Sequence, residues 1–245
     1  MTRLFVPREQ WGKTGVAVRG EDARYLTRVL RLGFGDTVTV LDGEGRAFEA
    51  VIQSTGADEV NLVLAREVAL ETEPAVEVSL FQALPKGDKM DLVVRQATEL
   101  GAARIVPVIT ERVVVRLDAA RASRRQERWQ KIAREAARQC GRPVVPVVEP
   151  VLSFATALTL LEPGAFGIMP WEGEELVSLR QCLSGRKPEA VSIFIGPEGG
   201  FALHEVETAR AQGVVTVTLG RRILRTETAG MVTMALLLYA LGEIG

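Results

Sequence analysis

The hydrophobic and polar positions of the chain follow two different patterns, and the change falls near residue 70. Up to Arg66, short runs rich in Val, Leu and Thr alternate with turns. Several short strands within about sixty residues favour a small β-barrel. The predicted strands are Thr14–Val18, Asp36–Leu41, Ala47–Gln53 and Val60–Ala65.

One predicted helix interrupts these strands, at Glu21–Arg31. Its predicted inner face consists of Tyr25, Val29, Leu30 and Leu32. The run Asp42–Gly45 is a hairpin signal between two of the strands. Residues 67–77 then carry four glutamates and few large apolar side chains, so we interpret them as a linker between two domains.

From Val76 onward, buried strands alternate with helices, which predicts an α/β domain with a parallel sheet. The predicted strands are Val76–Leu84, Arg104–Ile109, Val144–Val148, Ala165–Met169, Ala190–Ile195 and Val214–Leu219. The helices between them include Asp88–Leu100, Ser153–Leu161 and Glu174–Leu183, with Asp88 as the predicted N-cap of the first and Gly101 as its stop.

Two unusual loops follow the last two predicted strands. The first is the Gly-Pro-Glu-Gly-Gly-Phe run Gly196–Phe201, and the second is Leu219–Ala229, which carries Arg225 and Glu227 where a helix begins. A tight strand-to-helix turn would explain the first loop alone. Because the carboxyl ends of parallel strands share one edge of a sheet, where open α/β sheets bind ligands, the two loops together indicate a binding site.

The segment Arg112–Arg142 holds ten Lys or Arg residues and three acidic residues. At helical spacing its cations form an outward stripe, and a second stripe is apolar. A solvated face would carry more acids, so phosphate contact is the better interpretation. The basic stripe is Arg124, Arg128, Lys131 and Arg138, and the apolar stripe is Trp129, Ile132, Ala133, Ala136 and Cys140.

Composition and motifs exclude several classes of protein. The chain has 245 residues, a net charge of −1, two cysteines and one histidine. Two cysteines form neither a disulfide framework nor a metal-ligand cluster, and with a single histidine no zinc site is expected. His204 lies near a predicted helix start and is expected to be a surface residue, not the base of a Ser-His-Asp triad. The GxGxxG fingerprint and the Walker A motif are also missing. With no apolar signal core, the chain is expected to be cytoplasmic. The remaining site of backbone, apolar groups, one arginine and carboxylates suits a transfer between two bound substrates.

The two loops together resemble the signature of the RsmE family, which are SPOUT-class methyltransferases that use S-adenosylmethionine and act on 16S ribosomal RNA. The likeness extends over nearly the whole chain. Further matching segments are Arg28–Arg31, Asp42–Gly43, Lys86–Met90, Thr98–Gly101, Glu111–Arg112, Trp129–Ala133 and Gln139–Arg142.

This resemblance implies a PUA-like β-barrel at residues 1–70 and a SPOUT domain at residues 74–245, with a trefoil knot that binds the cofactor at about residues 165–245. It also implies a homodimer and methylation of uracil N3 at one uridine near the decoding centre of the small ribosomal subunit. The apolar run Met231–Leu241 is compatible with a partner subunit, and equally with complete burial inside one subunit.

The site residues follow from the same resemblance. Arg225 is expected to stabilise charge on the uracil oxygens, and Glu198 or Glu227 to accept the N3 proton, although a structural role of Glu227 at the helix start is equally compatible. The expected cofactor contacts are Ile168, Gly196, Gly199, Gly200, Leu219, Gly220, Ile223, Leu224 and Thr228. The expected RNA contacts are Arg3, Arg28, Arg31, Lys86, Lys89, Arg112, Arg124, Arg128, Lys131 and Arg138.

Two other functions remain open at this point. A non-catalytic RNA-binding protein of ribosome assembly would use only the barrel and the basic helix, and would not need intact cofactor loops. A small-molecule methyltransferase would leave the barrel and the basic stripe unexplained.

Overall fold

The computed structural model describes residues 2–13, 15–161 and 164–245. The chain divides into two compact units, which are interleaved in sequence. One unit is Met1–Glu73 with Ala137–Val145, and the other is Pro74–Ala136 with Pro146–Gly245. The domains inferred from the sequence are residues 1–70 and 74–245, and their independent folding stays a prediction. These boundaries put residues 137–145 in the second domain, whereas the structure groups them with the first unit.

A five-stranded sheet forms the first unit in the described part of the chain, in the order β1-β3-β4-β5-β2. Only the β1–β3 pairing is parallel. All five strands contribute side chains to one core, which also receives Leu26 from the helix that follows β2. The strands are β1 (Arg3–Phe5), β2 (Gly15–Arg19), β3 (Thr37–Leu41), β4 (Ala47–Thr55) and β5 (Glu59–Val68). The predicted strands are thus confirmed, apart from Thr14, which lies outside the described residues.

The helix of this unit begins as predicted, as α1 (Glu21–Arg24), but continues as a π-helix, Tyr25–Val29. The predicted inner face is partly wrong: Leu26 is completely buried, whereas Val29 is 65% exposed. The wider π turn, with the amide of Leu30 bonded to the carbonyl of Tyr25, shifts the side chains away from the positions of a regular α-helix. A short 3₁₀ turn, Arg8–Gln10, precedes β2.

The second unit contains a seven-stranded parallel sheet in the described residues. Its main path is β12-β10-β11-β6-β7-β8, and β9 also pairs with β7. The predicted parallel α/β sheet is therefore confirmed. The strands are β6 (Glu77–Ala83), β7 (Arg104–Ile109), β8 (Val147–Val148), β9 (Leu152–Ser153), β10 (Phe166–Pro170), β11 (Ala190–Ile195) and β12 (Val215–Val217).

Helices cover both faces of this sheet. On one face, Phe81 and Phe194 stack with ring centroids 4.4 Å apart, and Phe154 and Val206 pack against them. On the other face, Gly230 of the last helix lies against side chains of β6 and β11. The helices are α2 (Lys89–Glu99), α3 (Ala119–Cys140), α4 (Phe154–Leu158), α5 (Leu179–Leu183), α6 (Leu203–Ala211) and α7 (Thr226–Leu241). No helix in the described ranges is long and apolar enough to cross a membrane.

Three local predictions need correction. The strand predicted at Val144–Val148 is reduced to Val147–Val148. The helix predicted at Glu174–Leu183 begins only at Leu179, because the Glu174 carboxylate accepts the amides of the next turn and Ser178 caps the helix. Asp88 does occupy the N-cap position of α2, but its side chain makes no capping hydrogen bond.

One buried ion pair joins distant segments of the first unit. The side chain of Arg142 is 4% exposed, and its Nε lies 3.0 Å from Oε1 of Glu73 while its Nη2 lies 2.6 Å from Oε2. This bidentate geometry is the strong form of a charge-assisted hydrogen bond. It therefore fixes the segment after α3 to the end of the β-rich part of the same unit.

Removing this carboxylate should destabilise the first unit. We expect Glu73→Ala to lower the free energy of unfolding by about 1.5–3 kcal/mol, the usual range for a hydrogen bond to a charged group. The matched control is Glu71→Ala, since Glu71 is exposed and makes no ion pair within the described residues. Equal urea midpoints for the two variants would contradict a stabilising role for the pair.

Candidate active site

The register of three strands brings their following loops to one edge of the sheet. Strand β10 lies between β11 and β12, and Ile168 pairs with Ile193 on one side and with Val215 on the other. All three strands run parallel. The sequence-based prediction that both unusual loops follow the carboxyl ends of parallel strands is therefore confirmed, and the end of β10 lies between them.

In the first loop, protein side chains already cover the glycines. A Cβ atom on Gly200 would clash with the carboxylate of Glu172, and Gly200 also has a φ of +68°. A Cβ on Gly199 would lie 3.3 Å from Cβ of Arg112, whose Nη1 donates to the Gly199 carbonyl at 2.9 Å. A Cβ on Gly196 would lie 3.2 Å from the ring of Phe201. Close packing within the protein thus accounts for these three glycines in this structure.

The second loop is more open. Gly220 has a φ of +105°, and a Cβ atom there would meet nothing within 4 Å. Ile223 is 89% exposed. The backbone amides of residues 221–225 donate to no acceptor in the described chain. This loop therefore presents an apolar side chain and free backbone donors together.

A single threonine connects the two loops. Thr226, the first residue of α7, donates its hydroxyl to the Gly196 carbonyl at 2.6 Å. The amide of Gln82, at the end of β6, donates to the same hydroxyl at 2.8 Å. Both Gln82 and Thr226 were missed at the sequence level. The available signal was an isolated carboxamide within the otherwise apolar end of a buried strand.

A lysine brings the two predicted carboxylates together. Nζ of Lys89 lies 3.1 Å from Oε1 of Glu227 and 3.5 Å from Oε1 of Glu198. Glu198 also accepts the backbone amide of Lys86 at 3.0 Å. Lys89, which the sequence suggested as an RNA contact, is thus paired with acidic groups in this structure.

These contacts hold the Glu198 carboxylate in its ionised form. Burial raises the pKa of Glu198, but hydrogen bonds from the amides of Lys86 and Glu198 and the charge of Lys89 outweigh it, so the pKa lies below its ordinary value of 4.5. A carboxylate with a lowered pKa is a weaker base. Glu198 is therefore suited to holding Lys89 in place more than to removing a proton.

Arg225 is placed differently from its charged neighbours. It is exposed, and its guanidinium makes no hydrogen bond or ion pair with the described residues. Its backbone is firmly held, because its carbonyl accepts the amides of Thr228 and Ala229 at 2.9 and 2.8 Å. The site thus contains an unengaged cation at a fixed position, directly before α7.

The remaining expected cofactor contacts differ in accessibility. Ile168 is completely buried within β10. Leu219, Leu224 and Thr228 are partly buried. Among these expected contacts, the accessible groups therefore belong to the second loop, whereas Ile168 is a core residue of β10.

The segment after β10 forms a further part of this edge, and the contacts that Glu174 makes with Arg210 and Thr216 were missed at the sequence level. The Glu174 carboxylate accepts the Thr216 hydroxyl at 2.7 Å and pairs with Arg210 at 3.1 Å, and Arg210 lies over the Trp171 ring at 5.4 Å. The Thr216 hydrogen bond is the main cause of a lowered pKa at Glu174, and it outweighs the effect of burial. This network keeps Trp171–Val177 in a fixed, non-helical conformation.

The expected RNA contacts fall into two groups. In the second unit, Arg128 pairs with Asp91, whereas Arg124 and Lys131 are exposed and make no ion pair with the described residues. Lys86 is exposed as well. In the first unit, Arg28 and Arg31 are exposed, Arg3 packs against Gly141, and Arg138 lies 5.1 Å from the Tyr25 ring centroid. Among the expected RNA contacts in the second unit, Lys86, Arg124 and Lys131 are therefore the cations most available to phosphate.

No group of three or more potential metal ligands from His, Cys, Asp and Glu occurs in residues 2–13, 15–161 and 164–245. Cys182 is buried, and burial raises the pKa of its thiol, so it is a weak nucleophile.

Comparison with known proteins identifies the class of protein to which this fold and site belong. A family model described as an RNA methyltransferase domain matches residues 72–238, and one described as an RNA methyltransferase PUA domain matches residues 18–65. The ribosomal RNA small subunit methyltransferase E of Bacillus subtilis is 34% identical over 91% of this chain and 89% of its own length. The protein of that name from Aquifex aeolicus is 31% identical over 96% and 98%, respectively.

Solved structures agree with these sequence matches. Ribosomal RNA small subunit methyltransferase E from Neisseria gonorrhoeae, bound to S-adenosyl methionine, has a TM-score of 0.86 and 32% identity, with 97% of each chain covered. A methyltransferase from Legionella pneumophila in complex with the same cofactor has a TM-score of 0.82 and 28% identity, with 98% of each chain covered. The chain is thus an RNA methyltransferase with a PUA-like N-terminal region. It belongs to the ribosomal RNA small subunit methyltransferase E family, RsmE, which confirms the resemblance noted from its sequence.

The lowered pKa of Glu198 leads to a pH prediction. Its ionised form stabilises the folded chain above the unfolded-state pKa, about 4.5, and this contribution is lost as the pH falls through the lower folded-state value. We therefore expect the difference in unfolding free energy between the wild type and Glu198→Gln to be constant from pH 8 to about 5.5 and to shrink in more acidic buffer.

Urea unfolding across this pH range measures the effect. Glu175→Gln is the control, because Glu175 is exposed and forms no ion pair with the described chain. A wild-type advantage over Glu198→Gln that grew on acidification would refute the assignment.

Proposed function

We propose that the chain methylates N3 of one uridine of 16S ribosomal RNA, near the decoding centre of the small subunit, with S-adenosylmethionine as methyl donor. The observation that carries this proposal is the pair of loops at one sheet edge, which Thr226 joins, together with Arg225, which lies in the second loop directly before Thr226 and makes no ion pair with the described residues. Membership in RsmE supports the reaction class, and the structures of relatives bound to S-adenosylmethionine support the cofactor.

The groups of the second loop fit this cofactor. Adenosine has an apolar face and several hydrogen-bonding edges but no phosphate, so it requires aliphatic contacts and backbone groups more than cations. The exposed Ile223, the partly buried Leu219 and Leu224, and the free amides of residues 221–225 supply both kinds of contact. Open space at Gly220 lets a ligand approach the backbone there.

The protein's own contribution to the reaction is mainly positioning and electrostatics. The bound cofactor supplies a methyl group on a sulfonium, and alignment with the uracil provides much of the acceleration. As N3 loses its proton, negative charge develops on the uracil oxygens. Arg225, held by its backbone at the start of α7, is placed to donate to one of these oxygens and to stabilise that charge.

Glu227 is the better of the two proposed proton acceptors. It lies two residues from Arg225, in the first turn of α7, and is held at 3.1 Å by Nζ of Lys89. Glu198 also accepts the backbone amide of Lys86 and has a lowered pKa, which weakens it as a base. We therefore assign N3 proton removal to Glu227, directly or through one water, and the positioning of Lys89 to Glu198.

A trefoil knot is also part of the proposal. Strand β12 lies at the edge of the sheet beyond β10, yet α7, which follows it, contacts β11 and β6 in the interior of the sheet. The chain must therefore return across β10 after residue 217. Such a return past the loop after β11 supports the threaded topology that the RsmE resemblance implies.

We further propose that the chain acts as a homodimer in the cytoplasm, where ribosomal subunits are assembled. Leu236 and Tyr239 of α7 are 46% and 69% exposed, so one subunit does not bury this apolar helix completely. Leu92 of α2, the helix that packs beside α7, is 40% exposed. A second copy is the proposed cover for this face, and a monomer by light scattering at micromolar concentration would refute it.

The two alternative functions have less support. A non-catalytic assembly factor would not require the open second loop or the fixed Arg225. A small-molecule methyltransferase would not require the exposed cations Arg124 and Lys131 or the PUA-like region.

Mass-spectrometric mapping of 16S RNA tests the proposed function. Small subunits from a strain lacking this methyltransferase are incubated with the purified chain and S-adenosylmethionine, and the RNA is digested and sequenced by mass. We expect one new N3-methyluridine. Methylation at another base atom, or no methylation of subunits or free 16S RNA, would contradict the proposal.

Replacing Arg225 should affect the chemical step more than binding. Loss of one preorganised donor to a developing oxyanion typically slows the reaction by about 10²–10³-fold. We expect that loss for Arg225→Ala in single-turnover methylation at saturating substrates, and little recovery for Arg225→Lys, because an ammonium cannot reproduce the planar guanidinium. Arg222→Ala is the control for loss of charge in the same loop. A wild-type rate at saturation for Arg225→Ala would show that this residue only binds substrate.

Replacing the free cations of α3 should affect binding more than chemistry. We expect Arg124→Ala and Lys131→Ala each to weaken RNA binding and to lower the slope of log affinity against log salt by about 0.7–0.9, as for one lost phosphate contact. Rates at saturation should not change. Lys187→Ala, at another exposed position of the same unit, is the control. An unchanged salt slope for both variants would remove α3 from the RNA-binding surface.

A further inference from the structure

A completely buried carboxamide lies beneath the site. Gln82 is 0% exposed, near the end of β6. Its Nε2 donates to the Ala83 carbonyl at 3.0 Å and to Oγ1 of Thr226 at 2.8 Å. Thr226 in turn donates to the Gly196 carbonyl at 2.6 Å. These bonds form a relay from the centre of the sheet to both loops of the site.

The hydrogen-bonding capacities of the partners determine the orientation of this amide. The Ala83 carbonyl can only accept, and Thr226 uses its one hydroxyl hydrogen on Gly196. Both groups therefore offer only lone pairs to Gln82, which must turn its NH₂ group toward them. A flipped amide would place its oxygen against two acceptors.

This orientation leaves the other end of the amide without a partner. Oε1 of Gln82 is buried and accepts no hydrogen bond from the described residues. It points toward α7 at Gly230, where a Cβ atom would lie 3.2 Å from it. A buried unpaired carbonyl destabilises the folded state, and an apolar side chain of similar length would avoid this cost. Groups that persist despite such a cost are characteristic of functional sites.

We propose that Gln82 is a positioning residue, which acts through Thr226 to hold the 196–200 loop and the start of α7 in one relative position. The inference rests on the proposed function, because the groups it positions are Arg225, adjacent to Thr226, and the cofactor loop at Gly196. A misplacement of about 1 Å can slow a reaction by about 10²-fold without removing any contact to substrate.

Threonine variants provide the central test, since they differ by one group. Thr226→Val keeps the shape of the side chain and removes the hydroxyl, whereas Thr226→Ser keeps the hydroxyl. We expect single-turnover methylation at saturating RNA and cofactor to fall by about 10–100-fold for Thr226→Val and by less than about threefold for Thr226→Ser. The KM for RNA should stay near the wild-type value in both.

Thr233→Val is the matched control. Thr233 is on the same helix, is buried like Thr226, and donates its hydroxyl to the Ala229 carbonyl at 2.7 Å, away from the relay. It should lose stability comparable to Thr226→Val and retain its rate. An equal loss of rate in both valine variants would show that helix stability is the cause and would overturn the inference.

Gln82→Met extends the test to the start of the relay. We expect it to be slowed as much as Thr226→Val, with no further loss in the double variant, because both substitutions break the same relay. Its melting temperature should not fall, since the unpaired Oε1 is removed with the amide. A wild-type rate for Thr226→Val or for folded Gln82→Met would overturn the proposal. If Gln82→Met does not fold, the comparison of Thr226→Val with Thr226→Ser tests the proposal by itself.

Amide hydrogen exchange separates this inference from the proposed function. Breaking the relay should speed exchange in residues 198–202 for Thr226→Val and not for Thr226→Ser or Thr233→Val. This measurement needs no activity, so an inactive wild type would refute the proposed reaction while the exchange rates still test the relay. Equal exchange in all variants would overturn the relay.

Discussion

The site depends on the placement of β10 between β11 and β12 in one parallel register. Because Ile168 pairs with Ile193 and with Val215, the three strands end at the same level, and the loops that follow them lie at one edge of the sheet. Further hydrogen bonds and ion pairs then fix the loops relative to one another. Thr226 bonds one loop to the other, and the segment after β10 is held between them by the Glu174 network.

The charged groups at this edge have two roles, because some fix the position of neighbouring side chains and others are proposed to contact the substrate. Lys89 is held by two carboxylates, and Glu198 is held by the amide of Lys86, so these groups stabilise one another. Arg225 has a fixed backbone, and its guanidinium has no partner among the residues that the structure describes. A preorganised cation that is not neutralised by its neighbours is what a developing oxyanion requires, because no internal ion pair must break during the reaction.

Much of this arrangement is predictable from the sequence, because it rests on periodicity and on glycine-rich loops after apolar strands. Strands β6, β7 and β11 are examples, because each lies in a mainly apolar run. The two loops are further examples, because they follow the apolar strands β11 and β12. The predictions that were wrong concern segments in which the backbone departs from a regular α-helix. Glu174 binds the amides of its own turn and prevents the helix predicted there, and the π turn after α1 exposes Val29.

The contacts that were missed are between residues far apart in sequence. The partners of Gln82 and Lys89 lie more than a hundred residues away, and the bonds depend on how α7 returns across the sheet. Periodicity carries no information on such pairs. Periodicity also could not show where residues 137–145 belong. They form the end of α3 and the segment after it, yet they are part of the first compact unit.

The central claim is that the two joined loops form the cofactor site of this chain. Isothermal titration calorimetry of the full chain with S-adenosylmethionine tests it most directly. We expect saturable binding at one site per loop pair. Binding should be strongly weakened when Gly220, whose φ is +105°, is replaced by valine, because that backbone conformation is strained for a side chain. Absence of binding at millimolar cofactor, or equal binding by the Gly220→Val variant, would contradict it.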